Sequence, residues 1–310
     1  MSRRPFSAPG ARTPHQIGAQ GKPRTAFVLS GGGSLGAVQV GMLRALFENG
    51  VKPDLVVGTS VGAVNAAWIA GRPTVEGANA LADIWLSLRR QDVFPISPMT
   101  GFAGLLGRSN HFISNASLRT ILETHIPFER LEDSALPLHV VATELKSGRA
   151  AILSSGSAVP ALLASCAIPG VFPPVTIDRH EYVDGGVANH TPVTVALELG
   201  ARKIYVLPVG YPWLNREPTN ALGMALHALA RIVEQKLDAE VALYRHAADI
   251  DVMPQLDLAD VSPADFSHTP ELIEWGYKAA RRGLGAEQSN GRASTLPEKA
   301  RKTLRLARVA

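Results

Sequence analysis

The sequence predicts an α/β protein built on a parallel sheet. Two observations carry that prediction. Short apolar, β-rich runs at residues 25–30 (TAFVLS) and 54–57 each end at glycine. Each is followed by a helical pattern, at residues 36–49 and 61–70. Strand and helix in alternation argue a parallel sheet with crossover helices.

Taken in order, the first residues lack hydrophobic periodicity and are expected to be an unstructured lead-in. Residues 25–30 read as a buried strand. Val40, Leu43, Leu46 and Phe47 then recur at helical spacing, and Asn49-Gly50 supplies the stop. The second strand, 54–57, leads into small apolar residues that suit a buried helix. A further helix is expected over 75–89. Residues 94–112 are apolar, punctuated by Pro and Gly, and aperiodic. A loop of that length is uncommon without a task, and a lid or contact with an apolar ligand is the expectation. Strands follow at 138–143 and 150–153, joined at Ser147-Gly148, and then a helix at 158–167. Strands at 175–177 and 181–183 flank a turn at Asp178-Arg179. Helix at 192–199, strand at 203–209 and helices at 221–246 and 270–281 complete the reading.

Composition narrows the functional classes. The chain has 310 residues, 46% of them hydrophobic, enough for a sizeable core. No apolar run reaches the roughly 18 residues of a membrane span, and no apolar stretch of a secretory signal follows Arg3 and Arg4. Cys166 stands alone, which rules out an intrachain disulfide and zinc sites built on paired cysteines. A reducing, cytoplasmic setting is the expectation. The net charge of +4 comes largely from the ends, where Arg3, Arg4, Arg12, Lys22 and Arg24 face Lys299, Arg301, Lys302, Arg305 and Arg308. Solvated tails are the plain reading, and peripheral contact with an anionic membrane the functional one. No basic stripe interleaved with aromatics is present, so no nucleic-acid partner is expected.

Three motifs bear chemistry. Gly31-Gly32-Gly33-Ser34-Leu35-Gly36 lies between a strand and a helix, where open backbone N–H groups suit an anion. Gly31, Gly33 and Gly36 also fit G-x-G-x-x-G, so a dinucleotide site must be weighed, although Asp54 begins the next strand rather than ending it. Gly58-Thr59-Ser60-Val61-Gly62 is a G-x-S-x-G pentad in strand–turn–helix context, as a nucleophile elbow requires. Asp184-Gly185-Gly186 ends a strand and, taken alone, is a common turn signal. Ser60 needs a base. An Asp or Glu with a histidine (His190 or His268) would make a triad, and Asp184 acting directly would make a dyad. Cys166 reads as a buried spacer, His190 as a loop-orienting group, and Trp68 and Trp85 as packing.

The three motifs in this order resemble the patatin-like phospholipases. Residues 164–175 (ASCAIPGVFPPV) and Asn189-His190-Thr191-Pro192 agree with the stretches that flank the catalytic aspartate in bacterial members. The resemblance covers residues 25–209. It implies a three-layer α/β/α sandwich and a serine acyl-hydrolase of lipid degradation, with Ser60 as nucleophile and Asp184 as base. It makes the Gly32 and Gly33 N–H groups the oxyanion hole, and it calls for neither metal nor cofactor. Lipid esters are the implied substrates. With the pattern of the remaining residues, the chain is expected to divide into a disordered basic segment (1–24), a patatin-like catalytic domain (25–210), a C-terminal helical part packed on it (211–284) and a mobile basic tail (285–310). One departure stands out: the family often carries Arg or Lys where this sequence has Leu35.

Overall fold

The computed structural model describes residues 24–95, 111–210, 221–256, 258 and 261–294. Eight strands form one sheet: β1 (Arg24–Leu29), β2 (Leu55–Thr59), β3 (Leu138–Glu144), β4 (Ala150–Leu153), β5 (Val175–Ile177), β6 (His180–Asp184), β7 (Ala201–Leu207) and β8 (Asp249–Val252). Their spatial order is β5-β6-β3-β2-β1-β7-β8, with β4 also on β3. The five from β3 to β8 in that order are mutually parallel, and β4, β5 and β6 pair antiparallel.

The central strands are apolar throughout because both sheet faces are covered. Side chains alternate between the faces. Phe27, Leu29, Val56, Val140 and Leu207 join one core, while Ala26, Val28, Val57, Val141 and Val206 join the other. The first core is closed by α1 (Ala37–Glu48), α2 (Val61–Gly71), α3 (Val75–Ser87), a short α4 (Arg90–Val93), α5 (Ala116–His125) and α6 (Ala158–Ser165). After the one-turn α7 (Gly186–Asn189), α8 (Val193–Glu198) and Leu237 of α9 (Ala221–Tyr244) cover the second. The last helix, α10 (Thr269–Ser294), returns to the first face along α1. Three layers result, as expected. No helix among the described residues is long and apolar enough to cross a membrane.

Several expectations change in detail. The region 211–284 is not purely helical: β8 adds a parallel edge strand beside β7. Asp249 and Asp251 alternate there with Ile250 and Val252, and Lys203 of β7 is hydrogen-bonded to both carboxylates. That ion pairing lets an acidic edge strand join the sheet. Helix α10 continues to Ser294, past the boundary set at residue 285. Helix α5 falls where no element was assigned, although Leu118, Ile121 and Leu122 carry helical spacing. The turn at Asp178-Arg179 joins β5 to β6 with positive φ at both residues (48° and 67°), the geometry of a tight hairpin. Of the 94–112 loop, residues 96–110 lie outside the described residues, and so does the lid expectation placed on them. The lead-in of residues 1–23 and the tail from residue 295 lie outside them too.

Candidate active site

The parallel strands β1 and β2 end level with one another, Leu29 opposite Gly58, so the glycine loop and the pentad emerge side by side. This is the carboxyl edge of the sheet, where α/β folds place their ligands. At the pentad the chain turns from β2 into α2 through Ser60, which holds φ 55° and ψ −129°. That is a strained backbone for a residue with a Cβ. Glycine is required on both sides: a methyl at Gly58 would lie 2.4 Å from the Gly62 carbonyl oxygen, and one at Gly62 would lie 2.4 Å from those of Leu29 and Ser30. The Ser60 N–H donates to Ser165 Oγ at 2.8 Å, and Ser165 donates to the Val141 carbonyl at 2.6 Å, pinning the turn to β3.

Asp184 reaches the same place by a different route. Strand β6 runs antiparallel to β3, so the rule for strand ends in parallel sheets does not place it. Its pairing with β3 stops early, at Ala142 opposite Asp184, one residue beyond the Thr59–Val141 pair. The Ser60 Oγ donates to Asp184 Oδ2 at 2.6 Å, and the Gly186 N–H donates to Oδ1 at 2.7 Å. The Gly185 N–H donates to the Ser165 carbonyl at 3.2 Å. Both Ser60 and Asp184 are 7% exposed. Burial pushes the Asp184 carboxyl up to about 6, against the opposing pull of the Ser60 and Gly186 hydrogen bonds. A carboxylate so placed is a stronger base than an ordinary aspartate.

The glycine loop forms a 3₁₀ turn, Gly33–Gly36, ahead of α1. The Gly31 N–H donates to the His190 carbonyl at 3.2 Å and the Ser34 N–H to the Pro263 carbonyl at 2.8 Å. Between them, Gly32 (φ 151°) and Gly33 (φ 60°) sit in backbone conformations that suit glycine. A methyl there would lie 2.2 Å from Val209 Cγ2 or 2.4 Å from the Pro263 oxygen. Gly33 and Ser60 line one cavity with about 810 Å³ of empty space, its open mouth included. Its walls are almost wholly apolar and come from α2 (Val64, Trp68), α3 (Leu81, Trp85), α5 (Leu118, Leu122), Phe94, Phe172 and Phe266.

The alternatives lose their footing in this geometry. The Asp54 carboxylate accepts the Thr25 N–H at 2.7 Å, at the opposite end of the sheet from the glycine loop. It holds β1 and is not placed to meet a ribose. His268 is partly exposed, and its Nε2 lies 3.8 Å from the Asp265 carboxylate, not beside Ser60. His190 is partly buried, its ring packed against Gly31 and Gly186, and desolvation lowers its pKa to about 4 despite a hydrogen bond with the Gly31 backbone. It is neutral at physiological pH and packs the loop. Burial and the Asp184 charge raise the Cys166 thiol far above its usual range, so it is no competing nucleophile. Leu35 is 1% exposed, within the core.

Comparison with known proteins agrees with the motifs. Residues 27–197 match the family described as Patatin-like phospholipase. The chain belongs to the patatin-like phospholipase family. Lysophospholipase NTE1 of Mycosarcoma maydis is 29% identical over 192 residues, covering 59% of this chain and 10% of that protein. Patatin-like phospholipase domain-containing protein 7 of Mus musculus is 31% identical over 198 residues, covering 60% of this chain and 13% of that protein. This patatin-like chain thus corresponds to a small part of those relatives. Among solved structures, human GIVD cytosolic phospholipase A2 aligns with a TM-score of 0.49 and 12% identity, covering 86% of this chain and 59% of that one.

The matched region ends before several residues that complete the patatin-like site. Pro263 holds the glycine loop and Phe266 walls the cavity, both from the segment ahead of α10. Phe266 stacks on Trp85 (centroids 6.0 Å apart) and meets Phe94 at 6.4 Å. No motif marks them; each meets the site through contacts between residues far apart in sequence.

Proposed function

We propose that the chain is a serine acyl-hydrolase that releases fatty acid from lipid esters, with Ser60 as nucleophile and Asp184 as its general base. The observation that carries this reading is the 2.6 Å hydrogen bond from Ser60 Oγ to Asp184 in the wall of an apolar cavity. Asp184 takes the hydroxyl proton as Oγ attacks the ester carbonyl. The Gly32 and Gly33 N–H groups, flanked by N–H groups already engaged, receive the oxyanion, assisted by the N-terminus of α2. Collapse of the tetrahedral intermediate expels the alcohol, which takes the proton from Asp184. Asp184 then accepts a proton from water as that water attacks the acyl-enzyme, and fatty acid and free Ser60 result. No histidine is needed.

The cavity suits one acyl chain beside the reacting carbonyl. We infer a single-chain substrate of the lysophospholipid type, a reading supported by the name of the Mycosarcoma maydis relative. The basic residues near both ends suit peripheral contact with an anionic bilayer. The test is release of fatty acid from lysophosphatidylcholine and diacyl vesicles, together with labelling by a fluorophosphonate. Labelling confined to Ser60, with faster release from the lysolipid, is expected. Labelling elsewhere, or no release from either lipid, overturns the reading.

A further inference from the structure

Behind the glycine loop lies a fully buried polar network that neither motif nor mechanism uses. Gln39 of α1 and Asn65 of α2 are 0% exposed, and Trp85 of α3 is 5% exposed. The Trp85 Nε1–H donates to Asn65 Oδ1 at 2.9 Å. Asn65 Nδ2 donates to the Gly36 carbonyl at 3.0 Å and to Gln39 Oε1 at 2.9 Å. Gln39 Nε2 donates to the carbonyls of Ser30 and Leu207, both at 2.9 Å. Both N–H bonds and the oxygen of each carboxamide are therefore used, which fixes the orientation of both amides.

The acceptors are what give the network meaning. Ser30 precedes the glycine loop and Gly36 closes it, so one connected chain of side chains holds both ends. Its outer member, Trp85, lines the cavity beside Ser60. Its ring also abuts the loop, since a methyl at Gly36 would lie 3.2 Å from Trp85 Cζ2. Packing alone would be served by apolar side chains, and burying two carboxamides is unfavourable unless every group is paired.

We propose that Gln39 and Asn65 are positioning residues for the oxyanion loop, tying both of its ends to Trp85 in the wall of the acyl cavity. The inference rests on the hydrolase reading above and deepens it. An acyl chain against Trp85 then presses on the same network that aims the Gly32 and Gly33 N–H groups, so chain binding contributes to turnover.

The test compares the wild type with Asn65→Leu and Gln39→Met, each close in shape and lacking the polar atoms, and with Trp85→Phe, which is smaller and lacks the N–H. Three quantities are read: kcat and KM for p-nitrophenyl acetate, the ratio of kcat for long over short esters, and inhibition by a short alkyl boronic acid, whose tetrahedral adduct on Ser60 places an oxygen in the oxyanion position. A loop misplaced by a fraction of an ångström to an ångström is expected to lower kcat about 10- to 100-fold. KM for the acetate should change little, and the boronic acid should weaken in step with kcat. In Trp85→Phe the long-chain advantage in kcat should also fall towards one. Trp85→Phe removes the indole N–H with its pyrrole ring and keeps an aromatic ring facing Phe266, and the boronic acid, which carries no long chain, separates a misplaced loop from a widened cavity, so this variant decides the matter if either amide variant fails to fold. Variants that melt lower yet keep kcat and boronate inhibition within twofold of wild type overturn the inference alone. A wild type that hydrolyses no ester overturns it together with the hydrolase reading.

Discussion

At the scale of single residues, Asp184 is where function and stability oppose each other. Its carboxyl is pushed from an ordinary value of 3.8 up to about 6, chiefly by burial. A raised acid favours the fold while it is protonated, and that contribution is lost as pH rises from about 3.8 through about 6. The two values differ by about two units, so the ionised form costs on the order of 3 kcal/mol at neutral pH. Asp184→Asn keeps an acceptor for the Gly186 N–H and removes the charge. It is therefore expected to raise the melting temperature at pH 8 and to gain little at pH 4, while abolishing turnover. A melting curve unchanged at pH 8 would count against the buried-charge account. The same value sets the pH dependence: kcat/KM is expected to rise with pH through an apparent pKa near 6, as the base ionises. Ser60 and Asp184 were legible as residues because motif order and glycine spacing mark them. Gln39 and Asn65 were not, since buried amides carry no pattern and acquire a role only from the carbonyls that fold against them.

At the scale of elements, the site is a loop held from three sides. The amides of α1 and α2 hold its ends, and the segment ahead of α10 holds its middle through Pro263. Phe266 of that segment packs between Trp85 and Phe94 at the cavity wall. Replacing Phe266 by Ala is expected to raise KM for long-chain esters about tenfold, the equivalent of roughly 1.4 kcal/mol of lost apolar contact, and to leave the acetate ester little changed. Equal losses on long and short esters would deny Phe266 a place in the acyl site. Most elements were readable because buried strands and amphipathic helices announce themselves in the spacing of apolar residues. β8 was not, because Asp249 and Asp251 give it the composition of a loop, and only pairing with Lys203 makes it a strand. Asp184 was readable as the end of a strand, which it is; the antiparallel direction of β6 was not, and its early termination brings the carboxylate to Ser60.

At the scale of the molecule, two apolar cores on opposite faces of one sheet support a reactive edge, and the first core opens into the cavity beside Ser60. The parallel sheet followed from strand–helix alternation, and the three-layer arrangement from the family resemblance. The cavity did not, since its walls come from six separate stretches of chain whose apolar residues look like ordinary core in sequence. The central claim is that Ser60 is activated by Asp184 without a histidine. The most direct measurement is hydrolysis of short- and long-chain p-nitrophenyl esters by the wild type, Ser60→Ala, Asp184→Asn and His190→Ala. The account predicts that turnover vanishes in the first two variants and survives in the third, because Asp184, and not the imidazole packed on Gly31, accepts the Ser60 hydrogen bond. A His190→Ala enzyme as inactive as Ser60→Ala, while folded, would contradict it.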